Sequence, residues 1–275
     1  MTSVRLEVRL NQLRQDQDRK ARVAADPVSF VHRYPRPDDQ EVVGLIAASL
    51  AFGNVTAIRA SIDRVLVALG EAPAVAVRRR RRATLERRLE AFVHRIYRGE
   101  HVAALLANAG ALVRDRGSLG AAFAAELEAV GDFREALARF ADVLRGPDAP
   151  RGLRHLVPDP RAGSACKRLL LYLRWMVRPA DGVDLGLWPI SPAHLVIPVD
   201  THVHRIARNL GFTQRKDASW RTAEEVTACL RDFDPRDPVK YDFALCHLGI
   251  SRQCPSQRDP DLCATCVLKA HCTHW

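Results

Sequence analysis

Lys167 is the first residue in this sequence whose type and setting suggest covalent chemistry. The 275-residue chain has 42 lysines and arginines, but only five are lysines. Positions that need only positive charge are therefore almost always filled by arginine. A lysine amine can lose its proton and act as a nucleophile, which a guanidinium cannot do. Lys167 also lies in an apolar segment, between Cys166 and a run of three leucines. We therefore predict that Lys167 is a nucleophile, with a contact to a phosphate as the alternative.

Asp200 is the second such residue, and it stands before a helical pattern. Four apolar residues follow it at helical spacing and a glycine closes the segment: Val203, Ile206, Ala207, Leu210 and Gly211. Aspartate is a favoured N-cap, and the amide end of a helix favours negative charge. We predict that Asp200 caps a helix from Thr201 to Leu210, where its carboxylate is a candidate for chemistry as well as for capping. A purely structural cap is the alternative.

The elements that would position these two residues are predicted to be helices. Ser164 is the predicted N-cap of a helix whose apolar stripe ends before Pro179. The segment from Glu41 to Phe52 is apolar on nearly all sides, which is typical of a buried core helix, and Gly53-Asn54 breaks it. Alternation typical of strands is nearly absent. The fold class is therefore predicted to be all-α.

The charge of the chain favours a polyanionic partner. The formal net charge is +10 and the pI is about 9.7. An arginine-rich composition set by a GC-rich genome is the alternative. The five arginines at 78–82 are either phosphate contacts or an ordinary solvated face. No apolar run is long enough to span a membrane and no signal peptide is evident, so we expect no membrane partner and reduced or metal-bound cysteines.

Four cysteines near the end of the chain have the spacing of a metal-binding loop. The pattern is C-x8-C-x2-C-x5-C, formed by Cys254, Cys263, Cys266 and Cys272. Four thiolates with one close C-x2-C pair are suited to a tetrahedral metal or an iron–sulfur cluster. The spacing alone does not separate zinc from iron–sulfur.

Two stretches resemble the helix-hairpin-helix DNA glycosylase superfamily. They are the segment Val199-Asp-Thr-His-Val-His-Arg-Ile-Ala-Arg-Asn-Leu-Gly and the cysteine loop, which is similar to that of endonuclease III. Residues 39–51 and 240–245 also resemble an uncharacterised bacterial family related to the archaeal 8-oxoguanine glycosylases. The resemblance implies a catalytic role for Asp200, a nucleophilic role for Lys167 and a 4Fe–4S cluster on the four cysteines, with zinc as the alternative.

The resemblance also implies an architecture. Two helical subdomains, residues 40–195 and residues 1–39 with 196–275, would flank a cleft, and one would contain a helix-hairpin-helix. The glycine pattern of that hairpin is missing here, and 33 residues separate Lys167 from Asp200, more than is usual. The hairpin is therefore expected to be irregular, as in the archaeal enzymes.

The implied function is a DNA glycosylase with abasic-site lyase activity on an oxidised base. Its partner would be duplex DNA with a flipped base, in the cytoplasm of a bacterium at the nucleoid, with no obligate protein partner. Asn54 would enter the duplex, Asp242 would bond the damaged purine and Phe243 would stack on it; a turn role for Asn54 is equally open. The alternatives are a monofunctional glycosylase with Asp200 activating water, a non-catalytic DNA- or RNA-binding protein, and an enzyme acting on nucleosides or modified RNA.

Overall fold

The protein is built from helices, which confirms the predicted all-α class. The computed structural model describes residues 2–15 and 19–273. The helices are α1 Thr2–Gln15, α2 Arg19–Ala25, α3 Pro37–Leu50, α4 Val55–Leu69, α5 Pro73–Arg79, α6 Arg82–Arg88, α7 Gly99–Arg116, α8 Leu119–Val130, α9 Phe133–Arg145, α10 Arg151–Leu156, α11 Lys167–Val177, α12 Thr201–Asn209, α13 Trp220–Arg231, α14 Asp242–Ile250 and α15 Pro260–Ala264. Short 3₁₀ turns lie at Pro27–Arg33, Pro160–Ala162, Pro192–His194, Pro238–Tyr241 and Lys269–His271. Across the described ranges, none of the helices combines the length and the apolar character needed to cross a bilayer.

Helix α3 is the centre of the fold and fixes the position of α11. Its residues from Glu41 to Leu50 are all buried, as predicted for a core helix. Gly44 lets α11 approach closely, because a β-carbon there would lie 2.8 Å from Met176 Cε and 3.2 Å from Tyr172. Since α11 begins at Lys167, the packing of α3 on α11 determines the position of Lys167.

Glu41 joins α3 to the start of α8. Its buried carboxylate accepts hydrogen bonds from the backbone amides of Leu119 (3.0 Å) and Gly120 (3.1 Å) and from the indole of Trp188 (2.6 Å). Burial raises the pKa of Glu41, and the three donors oppose that rise. This acid therefore has a structural role, the capping of α8 across the core.

Helices α12 and α14 lie in close contact, which brings two more side chains to Asp200. A β-carbon on Gly249 would lie 2.5 Å from the β-carbon of His202. The glycine thus allows an approach that a larger residue would prevent. The face of α14 that carries Asp242 and Cys246, one turn apart, lies beside the N-terminus of α12 in consequence.

A small β-hairpin was not expected from the sequence. Strands β1 Val93–His94 and β2 Tyr97–Arg98 pair antiparallel around a two-residue turn, in which Arg95 adopts a left-handed conformation with φ of 54°. Strands of two residues are too short to produce a detectable alternation of apolar and polar residues. The hairpin lies against the loop after α3, where His94 Nε2 is 3.1 Å from the carbonyl oxygen of Phe52.

Candidate functional site

The start of α11 differs from the prediction. Ser164 is not the N-cap: the helix begins at Lys167, and Cys166 is the capping residue. The chain reaches it through Gly163, which has a φ of 82°. Ser164 pairs instead with Ser219 in an isolated bridge, and its hydroxyl accepts a bond from the amide of Cys166 at 3.3 Å. The bridge holds this loop in place, which sequence spacing alone does not reveal.

Cys166 has an unusual backbone conformation directly before Lys167. Its φ of 47° and ψ of 31° lie in the left-handed region, which residues other than glycine rarely adopt. Such conformations cost free energy and cluster at functional sites. The thiol is 2% exposed, and burial raises the pKa of Cys166 to about 12. Cys166 is therefore a protonated thiol that shapes the turn and presents Lys167 as the first residue of α11.

Asp200 caps α12, as predicted. Its Oδ1 accepts hydrogen bonds from the backbone amides of His202 (2.9 Å) and Val203 (2.8 Å), and the helix runs from Thr201 to Asn209. Because Oδ1 takes both amides, the second carboxylate oxygen, Oδ2, is left for other partners.

Lys167 and Asp200 meet although 33 residues separate them in the sequence. The distance from Lys167 Nζ to Asp200 Oδ2 is 4.0 Å. The exposed fractions of the two side chains are 30% and 18%, so solvent or a substrate can reach both. An ion pair of this exposure contributes little to stability, so substitution of Lys167 should have little effect on folding.

Asp242 lies behind this pair and is almost completely buried. It is 2% exposed, and one of its oxygens is bound by the guanidinium of Arg174. Its Oδ1 has no hydrogen-bond partner among the described residues. Burial raises the pKa of Asp242 to about 6; the charge of Arg174 opposes that rise and the charge of Asp200 adds to it.

A buried network of ion pairs continues from Asp242 along α11. Arg174 also binds Asp184 at 3.0 Å, and Arg178 bridges Asp184 and Asp237. Buried charges need such partners, because desolvation is costly. Nothing in the sequence pointed to these arginines, since arginine is the common basic residue throughout the chain. The network anchors Asp242, whose carboxyl group lies close enough to Asp200 and Lys167 for their charges to affect its pKa.

Phe243 does not line the cavity that contains Lys167. It is 8% exposed, its ring centre lies 4.2 Å from that of His247, and it borders a small separate cavity with Arg178 and Asp184. Asp242 and Phe243 are neighbours in sequence, but helical geometry sends their side chains to different faces of α14.

A large cavity opens beside Lys167. Its volume is about 750 Å³, and its lining includes Phe52, Arg154, His155, Ser164, Lys167 and Arg168. A volume of this size is in the range that binds small organic groups. Phe52 was predicted only as the end of the core helix; it lies in the loop after α3 and is 37% exposed.

Phe52 is held at the cavity by aromatic and cationic neighbours. Its ring centre is 5.5 Å from that of His155, and the guanidinium groups of Arg95 and Arg168 lie 4.8 Å and 5.8 Å from it. Asn54, two residues along, is exposed and caps α4 by accepting a bond from the amide of Thr56 at 2.9 Å. These contacts are those of a turn residue that caps a helix. A contact between Asn54 and DNA stays a prediction.

The four cysteines of the C-terminal loop surround one small cavity. The loop is tied to α12, because Arg205 donates to the carbonyl oxygen of Cys254 (2.6 Å) and Thr273 N donates to that of Asn209 (2.7 Å). Burial raises the pKa of Cys254 and of Cys266, and neighbouring loop cysteines add to the rise. Over residues 2–15 and 19–273, no three His, Cys, Asp or Glu side chains have the geometry of a metal site. Four thiol donors around one cavity nevertheless fit the chemistry of zinc or iron–sulfur.

Arg80 of the arginine run, and Arg88 just after the run, have structural roles. Arg80 and Arg88 both donate to the carbonyl oxygen of Ala68, at 2.8 Å and 3.1 Å, near the C-terminus of α4. Asn54 caps the opposite end, which a helix of this length puts about 22 Å away. Phosphate contacts by the other arginines in the run stay a prediction.

Comparison with known families gives one clear result. Residues 26–251 match the family described as a protein of unknown function, DUF2400. The chain belongs to the DUF2400 family. Comparison with curated proteins and with solved structures gives no match. The matched range of this DUF2400 protein includes Lys167, Asp200 and Asp242, and it ends before Cys254, so the cysteine loop lies outside it.

Proposed function

We propose that this DUF2400 protein is a DNA glycosylase with abasic-site lyase activity that removes an oxidised base from duplex DNA. The observation that carries the proposal is the 4.0 Å separation of Lys167 Nζ and Asp200 Oδ2, with Lys167 at the edge of a cavity of about 750 Å³. The resemblance of the Asp200 segment to helix-hairpin-helix glycosylases supports the same reaction class.

The two groups have complementary tasks in this reaction. The amine of Lys167, once it has given up its proton to solvent, attacks C1′ of the sugar while the bond to the base breaks, and the base leaves with the electron pair of that bond and takes up a proton from solvent. Positive charge develops on the sugar, and the negative charge of Asp200 stabilises it. The attached amine then loses a proton and the sugar ring opens to a Schiff base, which permits β-elimination of the 3′ phosphate.

The cavity supplies a place for the extruded nucleotide. A base inside the duplex is out of reach of both side chains, so it must rotate out of the stack. The lining residues Arg154 and Arg168 give the cavity positive charge, and Phe52 offers a ring at its mouth. A net charge of +10 favours association with the phosphate backbone.

The test is a panel of duplexes, each with one damaged base. We expect the protein to release the base from at least one duplex and sodium borohydride to trap a covalent complex on the same duplex. Release without trapping would indicate a monofunctional glycosylase in which Asp200 activates water. DNA binding that weakens with salt, without release of a base from any duplex, would favour a non-catalytic binding protein. The helix cap made by Asp200 is the observation that supports this alternative.

Phe52 provides a test of the cavity. We expect Phe52→Ala to lower kcat/KM on the processed duplex about tenfold, because stacking of one base on an aromatic ring has that order of effect. The melting temperature should change little, since the side chain is 37% exposed. Val67→Ala is a control for removal of an exposed apolar side chain, because Val67 is 79% exposed on α4, the helix that follows the Phe52 loop. Equal kcat/KM for Phe52→Ala and the wild type would contradict a stacking role.

The cysteine loop is proposed to hold a 4Fe–4S cluster, with zinc as the alternative. Visible absorption and metal analysis of anaerobically purified protein separate the two. We expect Cys266→Ser to lose the metal and lower the melting temperature, because the loop is tied to α12 through Arg205 and Asn209. Cys229→Ser, outside the loop, should keep both. Unchanged metal content in Cys266→Ser would contradict the assignment.

A further inference from the structure

A half-buried thiol lies next to the Lys167 and Asp200 pair. The sulfur of Cys246 is 3.4 Å from Asp200 Oδ2, the same oxygen that faces Lys167. Cys246 stands on α14, one turn after Asp242. From the sequence, Cys246 is only one of the cysteines expected to be reduced or metal-bound.

The direction of this contact is set by protonation. Burial raises the pKa of Cys246 well above its ordinary value, and the negative charges of Asp200 and Asp242 add to the rise. The sulfur therefore carries its proton at neutral pH. Since an ionised carboxylate can only accept, the S–H group donates to Asp200 Oδ2.

The contacts of Asp200 then fix the whole carboxylate. Oδ1 accepts from the amides of His202 and Val203, so it cannot rotate away from the start of α12. Oδ2 takes the Cys246 thiol on one side and leaves its remaining direction toward Lys167 Nζ. Without the thiol, one oxygen would keep its position but the other would lose the contact that selects its orientation.

We infer that Cys246 is a positioning residue, whose S–H group orients Asp200 toward the Lys167 amine and the reacting sugar. This inference rests on the proposed lyase function, because orientation of the carboxylate matters most where it stabilises charge in a transition state. The close approach of α12 and α14, made possible by Gly249 against His202, is what brings the thiol within reach.

The test compares two replacements of the thiol. Cys246→Ala removes the donor, and Cys246→Ser keeps a donor of similar size. We expect the single-turnover trapping rate of the alanine variant to fall about fivefold to tenfold, in line with loss of one hydrogen bond of ordinary strength, at unchanged Kd for DNA. The serine variant should stay within about threefold of the wild type.

A packing role alone predicts a different ranking. If Cys246 only filled space, the apolar alanine would be tolerated at least as well as serine, which brings an extra polar group into a buried site. The matched control is Cys229→Ala, because Cys229 is also half-buried and its sulfur lies 3.6 Å from a carbonyl oxygen, that of Phe212. An alanine variant as fast as the wild type, or faster than the serine variant, overturns the inference.

A second measurement does not depend on activity. The infrared S–H stretching band of Cys246 is identified by difference between the wild type and Cys246→Ala. In Asp200→Asn the thiol faces an amide NH₂ group in place of Oδ2, so we expect the band to move to higher frequency. An unmoved band overturns the inference. A moved band in a protein that processes no damaged duplex upholds the Cys246 contact and refutes the lyase function instead.

Discussion

Lys167→Ala should eliminate the borohydride-trapped complex with damaged duplex DNA. The alanine has no amine to form the bond to C1′. The other side chains described beside Asp200 are the thiol of Cys246 and the carboxyl group of Asp242, and neither can form a Schiff base. Folding should be almost unaffected, because the Lys167 side chain is 30% exposed and its ion pair is long, at 4.0 Å. Trapping is measured by gel electrophoresis after reduction, and folding by the melting temperature.

Two further variants separate the nucleophile from a phosphate contact. Lys167→Arg keeps the positive charge but provides no usable amine, so it should bind DNA normally and form no trapped complex. Lys216→Ala removes an exposed lysine in the loop after α12 and should trap as the wild type does. If Lys167→Ala were trapped as efficiently as the wild type, the nucleophile would be another residue. If it only bound DNA more weakly and still trapped, Lys167 would be a phosphate contact.

The local part of this site was predictable from the sequence. Asp200 as the cap of α12 and the buried stripe behind it follow from signals within a dozen residues, and the helix ends at Asn209, one residue before the predicted end at Leu210. The core helix α3 was predicted for the same reason, although it begins at Pro37, four residues before Glu41. Such features need no knowledge of the rest of the chain.

The contacts between distant segments were not predictable in the same way. Ser164 satisfies the usual rule for a cap, but its bridge to Ser219 shifts the helix start to Lys167. Arg174 is one of many arginines in the sequence, and only the packing of α11 on α14 makes it the partner of Asp242. The exposure of Phe52 likewise depends on the loop and hairpin that surround it.

The proximity of Lys167 and Asp200 was predictable only in part. The resemblance to glycosylases predicted it, but a separation of 33 positions in the sequence leaves the distance undetermined by local rules. It arises because Gly44 lets α11 approach α3 and because α12 is held against α14 by Gly249. Two glycines without chemistry of their own therefore control the geometry of the candidate site.

Asp200→Asn should lower the rate of base release about a hundredfold to a thousandfold while leaving the melting temperature nearly unchanged. Asparagine caps helices about as well as aspartate, so the bonds to the amides of His202 and Val203 are kept. The variant loses the negative charge beside Lys167 and the hydrogen bond from the Cys246 thiol to Oδ2. Asp200→Ala removes the cap as well and should cost about 1 kcal/mol of unfolding free energy in addition.

Asp132 provides the matched control for this separation of capping from chemistry. It caps α9 by accepting a bond from the amide of Glu135 at 2.8 Å. Neither Asp132 nor Asp200 lines the cavity beside Lys167, but of the two only Asp200 has the Lys167 amine within 4.0 Å. Asp132→Asn and Asp132→Ala should reproduce the stability changes of the Asp200 variants without any change in base release. If Asp200→Asn also kept its full rate, the carboxylate would serve only as a cap. The 4.0 Å approach of Lys167 would then be an ion pair without catalytic consequence.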